Sequence, residues 1–393
     1  MNMREVDYIL NHILDHYPNV SDINLTVGKP IQVEVDSQLT PVSFPTPIPC
    51  LTPFQTESFA LQMIRKDRRA IRILLDEGST DTSYGIEDRA RFRVNIFSGR
   101  GNYSVVMRRL ATHIPTVEEL NLPPILNEIG MEKNGLVLVT GATGSGKSST
   151  LAAVLQKVNE TRAVHVVTLE DPIEFVYKHD QATFNQRELG ADFDNFGNGL
   201  RAALRQAPKI ILVGEMRDRA TVEIALHAAE TGHLVLSTLH TIDAGQTINR
   251  IVGMFDQAEE RLIRLRLATM LRWVVSQRLL PKLGGGRVAA IEIMRQALRV
   301  QDTVVHGESE GKTFYEIIEA GVAQGMQTFD ASIIEAYEKG LISEETAIAF
   351  ASSRSVVFRG IDRIKNARGE QTTDLGTLSI DREYERRVKK SRP

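Results

Sequence analysis

One glycine-rich segment constrains the fold of this chain more than any other stretch. It reads Gly141-Ala142-Thr143-Gly144-Ser145-Gly146-Lys147-Ser148. The spacing fits G-x-x-x-x-G-K-S, in which glycines let backbone N–H groups surround phosphate oxygens, the lysine reaches the terminal phosphates and the serine hydroxyl holds Mg²⁺. An apolar run at 136–139 precedes the segment and a helix-like run at 149–158 follows it. This order of strand, loop and helix predicts a phosphate-binding P-loop.

The composition is that of an ordinary globular protein with almost balanced charge. The 393 residues include 47 lysines and arginines and 50 acidic residues, a net charge of −3, so no overall basic field indicates a nucleic-acid partner. This length indicates two or three domains. The one cysteine, Cys50, excludes an intrachain disulfide and a multi-cysteine zinc site. Because the start lacks a signal-peptide pattern and no run of about 18 apolar residues occurs, we expect a cytoplasmic protein.

The amino-terminal third is predicted to mix helices and strands. Apolar residues at helical spacing between Val6 and Tyr17 predict a first helix. His12 and His16 lie one turn apart, and without a third ligand we interpret them as a solvated face rather than a metal site. The later elements are a hairpin at 23–35, a loop at 41–53, a helix at 56–75 and strands at 90–97 and 103–110.

Several arginines lie on the last two of these strands. Arg91 and Arg93 share one face of the first strand because side chains alternate with period two. Arg108 belongs to the second strand. Two interpretations are open: a solvated basic face, or arginines that reach the triphosphate of a neighbouring subunit, since a planar guanidinium suits phosphate oxygens.

Three apolar runs after the P-loop end in polar residues. They span 163–169, 210–213 and 234–238. Helical sequence follows each run, which predicts a doubly wound parallel sheet. Ligands of such sheets lie beyond the carboxyl ends of the strands. We therefore expect Glu170, Glu215 and His240 at the same edge as the P-loop.

These three side chains have more than one possible role. Glu215 is placed to orient or deprotonate the water that attacks the γ-phosphate. Glu170 is a second candidate for this role; alternatively, it holds a magnesium-bound water. For both carboxylates the alternative is a cap on the following helix. His240 either senses the γ-phosphate or is a structural, hydrogen-bonded histidine.

The carboxyl-terminal part is predicted to be mainly helical. The expected elements are helices at 259–280, 329–339 and 343–352 and a strand at 287–294. From residue 359 the chain becomes polar and poor in apolar residues, which indicates a flexible or loosely docked tail. We interpret the basic cluster at 386–390 as solvated rather than as a lipid or partner contact.

Several motifs together make the chain resemble the hexameric secretion ATPases. Besides the P-loop they lie at 168–175, 185–188, 202–208, 213–218 and 229–234. The resemblance extends from about residue 5 to about residue 355. It is greatest to the PilT/PilU family, the ATPases of type IV pilus retraction and twitching motility.

This resemblance implies an α/β protein with a PAS-like α+β amino-terminal domain, a RecA-like doubly wound P-loop ATPase domain and a small helical carboxyl-terminal region. The expected bounds are 1–112 for the first domain, 113–124 for a linker, 125–296 for the ATPase domain, 297–358 for the helical region and 359–393 for the tail. The resemblance also implies a ring of six subunits, with each nucleotide between the two domains and near a neighbouring subunit.

The resemblance further assigns residues to ATP, the substrate, and to Mg²⁺. Expected nucleotide contacts are Gly141, Thr143, Gly144, Ser145, Gly146, Lys147, Ser148, Ser149 and His233, with Ser148 as metal ligand. Expected catalytic residues are Glu215 of Walker B, Glu170 of the acidic box, His240 of the histidine box, and Arg91, Arg93 and Arg108. The implied partners are other copies of the chain, an inner-membrane pilus platform protein and a paralogous pilus ATPase. No nucleic acid and no membrane span are expected, and the protein would act at the cytoplasmic side of the inner membrane.

Departures from the family pattern keep other functions open. Retraction ATPases usually carry an Ala-Ile-Arg-Asn-Leu-Ile-Arg helix that is implicated in retraction, whereas residues 297–302 here read Ala-Leu-Arg-Val-Gln-Asp. The first alternative is therefore a PilU-like accessory ring that depends on a companion motor. An extension or type II secretion ATPase is less favoured, because one cysteine cannot build the four-cysteine module common there. The near-neutral charge disfavours a RecA-like DNA translocase.

Overall fold

The computed structural model describes residues 2–35, 38–46, 49–65, 67–86, 89–110 and 113–370. These residues form an amino-terminal domain with one sheet, a larger domain with a mostly parallel sheet, and a small group of carboxyl-terminal helices. The predicted α/β class is therefore confirmed. Among the described residues, no helix has the length and apolar character needed to cross a bilayer.

The amino-terminal domain packs three helices against an antiparallel sheet. The helices are α1 (Met3–His16), α2 (Pro53–Ile64) and α3 (Arg68–Glu77). The strands are β1 (Asp22–Leu25), β2 (Gln32–Val35), β3 (Gln38–Pro41), β4 (Ser79–Ile86), β5 (Ala90–Gly99) and β6 (Asn102–Leu110). Their order across the sheet is β3-β2-β1-β6-β5-β4, so β5 and its arginines lie next to the edge strand.

The helix predicted at 56–75 is wrong in extent, because two helices occupy this region. The first begins at Pro53, where the Thr52 side chain forms a capping box. It ends at Ile64, because the next residue, Arg65, has a φ of 56° that cannot continue a helix. The second begins after Asp67, whose carboxylate accepts hydrogen bonds from the first backbone N–H groups of α3.

The larger domain has a sheet of seven strands. They are β7 (Gly135–Thr140), β8 (His165–Glu170), β9 (Thr183–Glu188), β10 (Ile210–Val213), β11 (Leu234–Leu239), β12 (Leu271–Pro281) and β13 (Arg287–Arg295). The helices are α4 (Lys147–Thr161), α5 (Phe196–Ala203), α6 (Arg219–Glu230), α7 (Ala244–Val252) and α8 (Glu260–Met270). The strand order is β13-β12-β7-β11-β10-β8-β9, and only β13 runs antiparallel to its neighbour. The element after β8 is another strand, β9, which pairs with β8 in parallel; the sequence predicts a helix at this point.

The long helix predicted at 259–280 is also wrong. Helix α8 ends at Met270, and the following residues form β12 between β7 and β13. The segment from Trp273 to Val275 is buried on both faces of the sheet. A strand buried on both sides has a continuous apolar run, which periodicity alone cannot distinguish from a buried helix.

The carboxyl-terminal helices are α9 (Leu298–His306), α10 (Phe314–Ala320), α11 (Phe329–Glu338), α12 (Glu344–Phe350) and α13 (Arg354–Arg368). The last three pack on the β12–β13 hairpin around Phe329 and Ile333. The predicted start of a loose tail at residue 359 is therefore wrong, because α13 continues to Arg368 and buries Val357 and Ile361 in this cluster. The basic cluster at 386–390 lies outside the described residues.

The segment between the two sheets packs against the larger domain. Val117 and Leu122 are buried in the same apolar cluster as β7 and α4. A 3-10 helical turn, Pro124–Met131, then leads into β7. The connection is thus fixed close to the P-loop rather than free in solvent.

Candidate nucleotide-binding site

The P-loop connects the end of β7 to the start of α4, and its backbone requires glycine. Gly141 and Gly146 have φ values of 146° and 90°, which side chains rarely adopt. A Cβ on Gly141 would lie 2.4 Å from the backbone carbonyl oxygen of Gln277. A Cβ on Gly146 would lie 2.7 Å from the side-chain Nε2 of the same glutamine. The loop is therefore pressed against β12, with no room for side chains at these two positions.

Lys147 is folded into this loop. Its Nζ donates hydrogen bonds to the carbonyl oxygens of Gly141 and Ala142, both at 3.0 Å. Burial lowers the pKa of the ammonium, and the carboxylates of Glu215 and Glu174 partly oppose that shift. The hydroxyl of Ser145 is also buried and has no hydrogen-bond partner within the described part of the chain. A cationic, donor-rich cradle with an unsatisfied hydroxyl fits a phosphate chain.

A cavity of about 390 Å³ opens beside the loop at the carboxyl edge of the sheet. Its lining includes Arg93, Thr143, Gly144, Lys147, Ser148, Glu170, Glu215 and His240. A second cavity of about 630 Å³ lies on the other side of the loop, where Gly144, Gly146, Lys147, Ser148 and Ser149 face residues 119–122. Gly144, Lys147 and Ser148 line both cavities, so space for a ligand lies on both sides of the P-loop.

Glu215 lies just beyond β10 and is held by two basic side chains. Its Oε1 lies 2.6 Å from Nη2 of Arg217. Its Oε2 lies 3.4 Å from Nε2 of His240, at the end of the neighbouring strand β11. The Glu215 side chain is 12% exposed, so it is largely shielded while still lining the cavity. This arrangement presents an oriented carboxylate to the space beside Lys147.

Glu170 ends β8 and is partly buried. Its Oε1 accepts hydrogen bonds from Oγ1 of Thr168 at 2.6 Å and from Nε2 of Gln186 at 3.1 Å. Burial raises the pKa of this carboxyl to about 7, and these two hydrogen bonds act in the opposite direction. Near neutral pH Glu170 therefore exchanges between a proton donor and a proton acceptor at the edge of the cavity.

The structure places the three predicted arginines in three different environments. Arg93 lines the cavity of its own chain. Arg91 contacts the larger domain, because its guanidinium donates to Oε2 of Glu188 at 2.7 Å and to the carbonyl oxygen of Ile173 at 3.2 Å. Arg108 is not brought to the cavity; its Nε donates to Oδ1 of Asp22 at 2.9 Å, and its side chain is 71% exposed.

His233, another expected nucleotide contact, is not brought to the P-loop of its own chain. It lies just before β11, and its carbonyl oxygen accepts a hydrogen bond from the N–H of Gly135 at the start of β7. Its Nδ1 bonds the carbonyl oxygen of Ala228 at 3.0 Å. Because β7 and β11 are parallel, this is the edge of the sheet opposite the P-loop.

Comparison with known proteins identifies the family. The model for "Type II/IV secretion system protein" matches residues 80–308, more than half of the 393 residues. The chain belongs to this family. It is 41% identical over 328 residues to "Type IV pilus retractation ATPase PilT" of Pseudomonas aeruginosa, a match that covers 83% of this chain and 93% of PilT. It is also 37% identical over 334 residues to "Type IV pilus ATPase PilU" of the same organism, covering 85% of each chain.

Solved structures agree with this assignment. The crystal structure of "the Pilus Retraction Motor PilT and Bound ADP" is similar with a TM-score of 0.80 and 39% identity, covering 91% of this chain and 99% of that one. The predicted membership of the PilT/PilU family and the predicted enzyme class, an ATPase, are therefore confirmed. That neighbour contains bound ADP.

Sequence reasoning missed several polar residues at this PilT/PilU-family site. Gln277 is buried on β12 and touches the P-loop, yet it lies 130 residues away along the chain. Arg217 lies two residues after Glu215 in the loop that follows β10, so this short spacing was the signal that could have indicated their ion pair. Gln186 was within a recognised motif, but its bond to Glu170 depends on the unpredicted strand β9.

Proposed function

We propose that this chain hydrolyses ATP to drive type IV pilus retraction and twitching motility. The observation that carries the proposal is the Glu215 carboxylate, oriented by Arg217 and His240 at the P-loop edge of the sheet. A P-loop alone supports nucleotide binding, whereas a shielded carboxylate beside it supports activation of water. The match to 93% of the length of PilT supports the link to retraction.

In this reaction each residue has a chemical role. The P-loop N–H groups and Lys147 bind the phosphate oxygens of ATP. Glu215 orients the attacking water and accepts its proton, while the bond between the γ-phosphorus and the bridging oxygen breaks to give ADP and phosphate. His240 keeps the carboxylate in place from the neighbouring strand. Mg²⁺, which the Ser148 hydroxyl would hold, supplies charge neutralisation on the phosphate oxygens when bound.

We further propose that the working form is a ring of six copies in which nucleotide sites are shared. Arg108 supports this arrangement, because its side chain is 71% exposed on the β5–β6 hairpin and does not line the cavity of its own chain. An arginine presented in this way is available to the triphosphate of a neighbouring copy. The ring would act from the cytoplasmic side on an inner-membrane platform protein of the pilus, alongside a paralogous pilus ATPase.

A second candidate function is a PilU-like accessory ring. Two observations favour it: the 37% identity to PilU, and the departure of residues 297–302 from the retraction-associated helix sequence. This segment forms the start of α9, where the side chain of Leu298 is 84% exposed. In this alternative the ring binds and hydrolyses ATP but generates force only together with a companion motor.

The proposal is tested by steady-state ATPase activity as a function of protein concentration, with mass measured by light scattering. Turnover that rises steeply as mass approaches about six subunits supports a self-sufficient ring with shared sites. Turnover per subunit that is the same in dilute monomer and in assembled protein would contradict shared sites. A hexamer that binds ATP without measurable turnover would contradict the motor function itself.

A cellular experiment separates motor from accessory ring. The chain is expressed in a piliated bacterium that lacks its own retraction ATPases, and retraction of labelled pili is recorded by fluorescence microscopy. We expect retraction with this chain alone. Retraction that returns only when a second pilus ATPase is co-expressed would favour the accessory function.

A further inference from the structure

A row of buried polar side chains crosses three neighbouring strands beneath the nucleotide site. Thr140 on β7, Ser276 on β12 and Glu292 on β13 are register partners across the sheet. Oγ1 of Thr140 donates to Oγ of Ser276 at 3.1 Å, and Ser276 lies opposite Glu292 in the β12–β13 pair. All three are buried. The row therefore begins directly before the P-loop glycine at position 141 and ends on a carboxylate.

The carboxylate of Glu292 connects this row to helix α7. Its Oε1 accepts a hydrogen bond from the backbone N–H of Ala244, the first residue of that helix, at 2.9 Å. Only residues 241–243 separate Ala244 from His240. The position of His240 beside Glu215 is thus set by a short loop whose far end is fixed by Glu292.

Capping of α7 does not by itself require Glu292. Asp243 is the N-cap residue, and its Oδ1 accepts the N–H of Gln246 at 2.7 Å. Glu292 places a second carboxyl group at the same helix end, and burial raises its pKa to about 7, with Asp243 adding to the shift and Arg278 opposing it. Burying an ionisable group is unfavourable, and apolar replacements of buried charged groups are often more stable. A role in the reaction explains why a carboxyl group is found there.

We propose that Glu292 is a positioning residue for ATP hydrolysis, which holds the start of α7 so that His240 stays against Glu215. This inference rests on the hydrolytic activity proposed above. Glu292 does not line the cavities at the P-loop, so it acts through His240 and not on the nucleotide. Glu292 is also in register with Ser276 and, through it, with Thr140 directly before the P-loop, so the same sheet supports both sides of the site.

The test compares Glu292→Ala and Glu292→Gln with the parent protein. We expect Glu292→Ala to lower kcat by about tenfold or more, because small displacements of catalytic groups have effects of this size. The KM for ATP and the affinity for ADP should change less than about twofold, since the P-loop is untouched. Glu292→Gln should recover most of the activity, because its amide oxygen still accepts the Ala244 N–H. A loss of ADP affinity equal to the loss of kcat would overturn the inference.

A double-mutant cycle with His240→Ala tests whether Glu292 acts through the histidine. If it does, the kcat of the double variant equals that of His240→Ala alone, and the two effects are not additive. Independent, additive effects would overturn the inference even if Glu292→Ala lowers kcat. Should Glu292→Ala fail to fold, the same cycle is run with Glu292→Leu, which also removes the hydrogen bond to the Ala244 N–H but keeps more of the buried volume.

Asp330 offers a matched control. It is a fully buried carboxylate that accepts backbone N–H groups of Ser352 and Ser353, but it belongs to the carboxyl-terminal helices. We expect Asp330→Asn to lower thermal stability without the selective loss of kcat at nearly constant KM that is expected of Glu292→Ala. If the parent protein does not hydrolyse ATP, the proposed function fails; if it does and Glu292→Ala keeps the parental kcat, only the present inference fails.

Discussion

The side-chain amide of Gln277 packs directly against the backbone of Gly146, so that a Cβ on this glycine would lie 2.7 Å from the amide nitrogen. The amide cannot move away easily, because Gln277 is buried and its Oε1 accepts a hydrogen bond from Oγ1 of Thr150 at 2.7 Å. Strand β12 therefore determines the shape of the P-loop from beneath, although it contributes nothing to the P-loop sequence motif.

We expect Gly146→Ala to weaken ADP binding by at least about tenfold, because the added methyl group must displace Gln277 and a left-handed alanine is strained by roughly 1–2 kcal/mol. Gly144→Ala is the matched control. The φ of Gly144 is also positive, at 76°, but no atom lies within 4 Å of an added Cβ. Titration with a fluorescent ADP analogue compares the two variants. Equal losses would show that backbone strain alone, and not contact with β12, controls the loop.

Glu215→Gln should leave ATP binding intact and lower turnover by about a hundredfold or more, the effect of removing a catalytic acid or base. Glu230→Gln is a suitable control, because Glu230 also forms an ion pair with an arginine, Arg266, but lies on α6 away from the cavity. Steady-state ATPase assays and nucleotide titrations measure both properties. Parental turnover in Glu215→Gln would transfer activation of water to another group, with Glu170 first.

The buried carboxyl of Glu170 should make stability depend on pH. Its pKa of about 7 in the folded protein exceeds the ordinary value of 4.5, so between these values the folded protein keeps a proton that the unfolded chain releases. The free energy of unfolding therefore falls as pH rises through this range, by up to roughly 3 kcal/mol from this group. Glu170→Gln removes the effect.

We accordingly expect the melting temperature of Glu170→Gln, relative to the parent protein without nucleotide, to increase between about pH 5 and about pH 8. Glu292 also has a raised pKa of about 7, but it is unchanged in both proteins and cancels in the comparison. Thermal unfolding followed by circular dichroism gives the two curves. A difference that is constant over this pH range would show that Glu170 is ionised throughout.

Arg108→Ala should lower ATPase turnover by about a thousandfold in assembled rings, the lower end of what an arginine supplied by a neighbour contributes. In dilute protomers its effect should be much smaller, because Arg108 does not line the cavity of its own chain. Arg109→Ala on the same strand is the control, since that guanidinium donates to the carbonyl oxygen of Pro18 within its own domain. The assay is repeated across protein concentrations; an equal loss in the protomer would contradict action between subunits.

The parts of the site that lie close together in sequence were predictable. The P-loop is a continuous segment, so its spacing alone indicates the chemistry of Lys147 and Ser148. Glu215 and His240 follow separate strands, yet parallel strands end at one edge of a sheet, which predicts their proximity. The structure brings them within 3.4 Å of each other.

The parts that depend on strand pairing were not predictable in the same way. His233 and His240 flank a strand of six residues, so about 20 Å separates them, and only one of them reaches the P-loop edge. Gln277 and Glu292 lie on β12 and β13, and the apolar run of β12 has no alternation, so its sequence pattern predicts a helix. Their importance follows from register across the sheet, which a single sequence does not specify.

Helix α13 has a practical consequence for anyone who shortens or labels this protein. The composition from residue 359 onward invites a cut at that point, but such a cut would remove Ile361 and leave Phe329 and Ile333 open to water on one side. A fusion partner joined there would lie beside an exposed apolar groove, and the shortened protein would be prone to aggregate. A boundary after residue 370 keeps the groove filled.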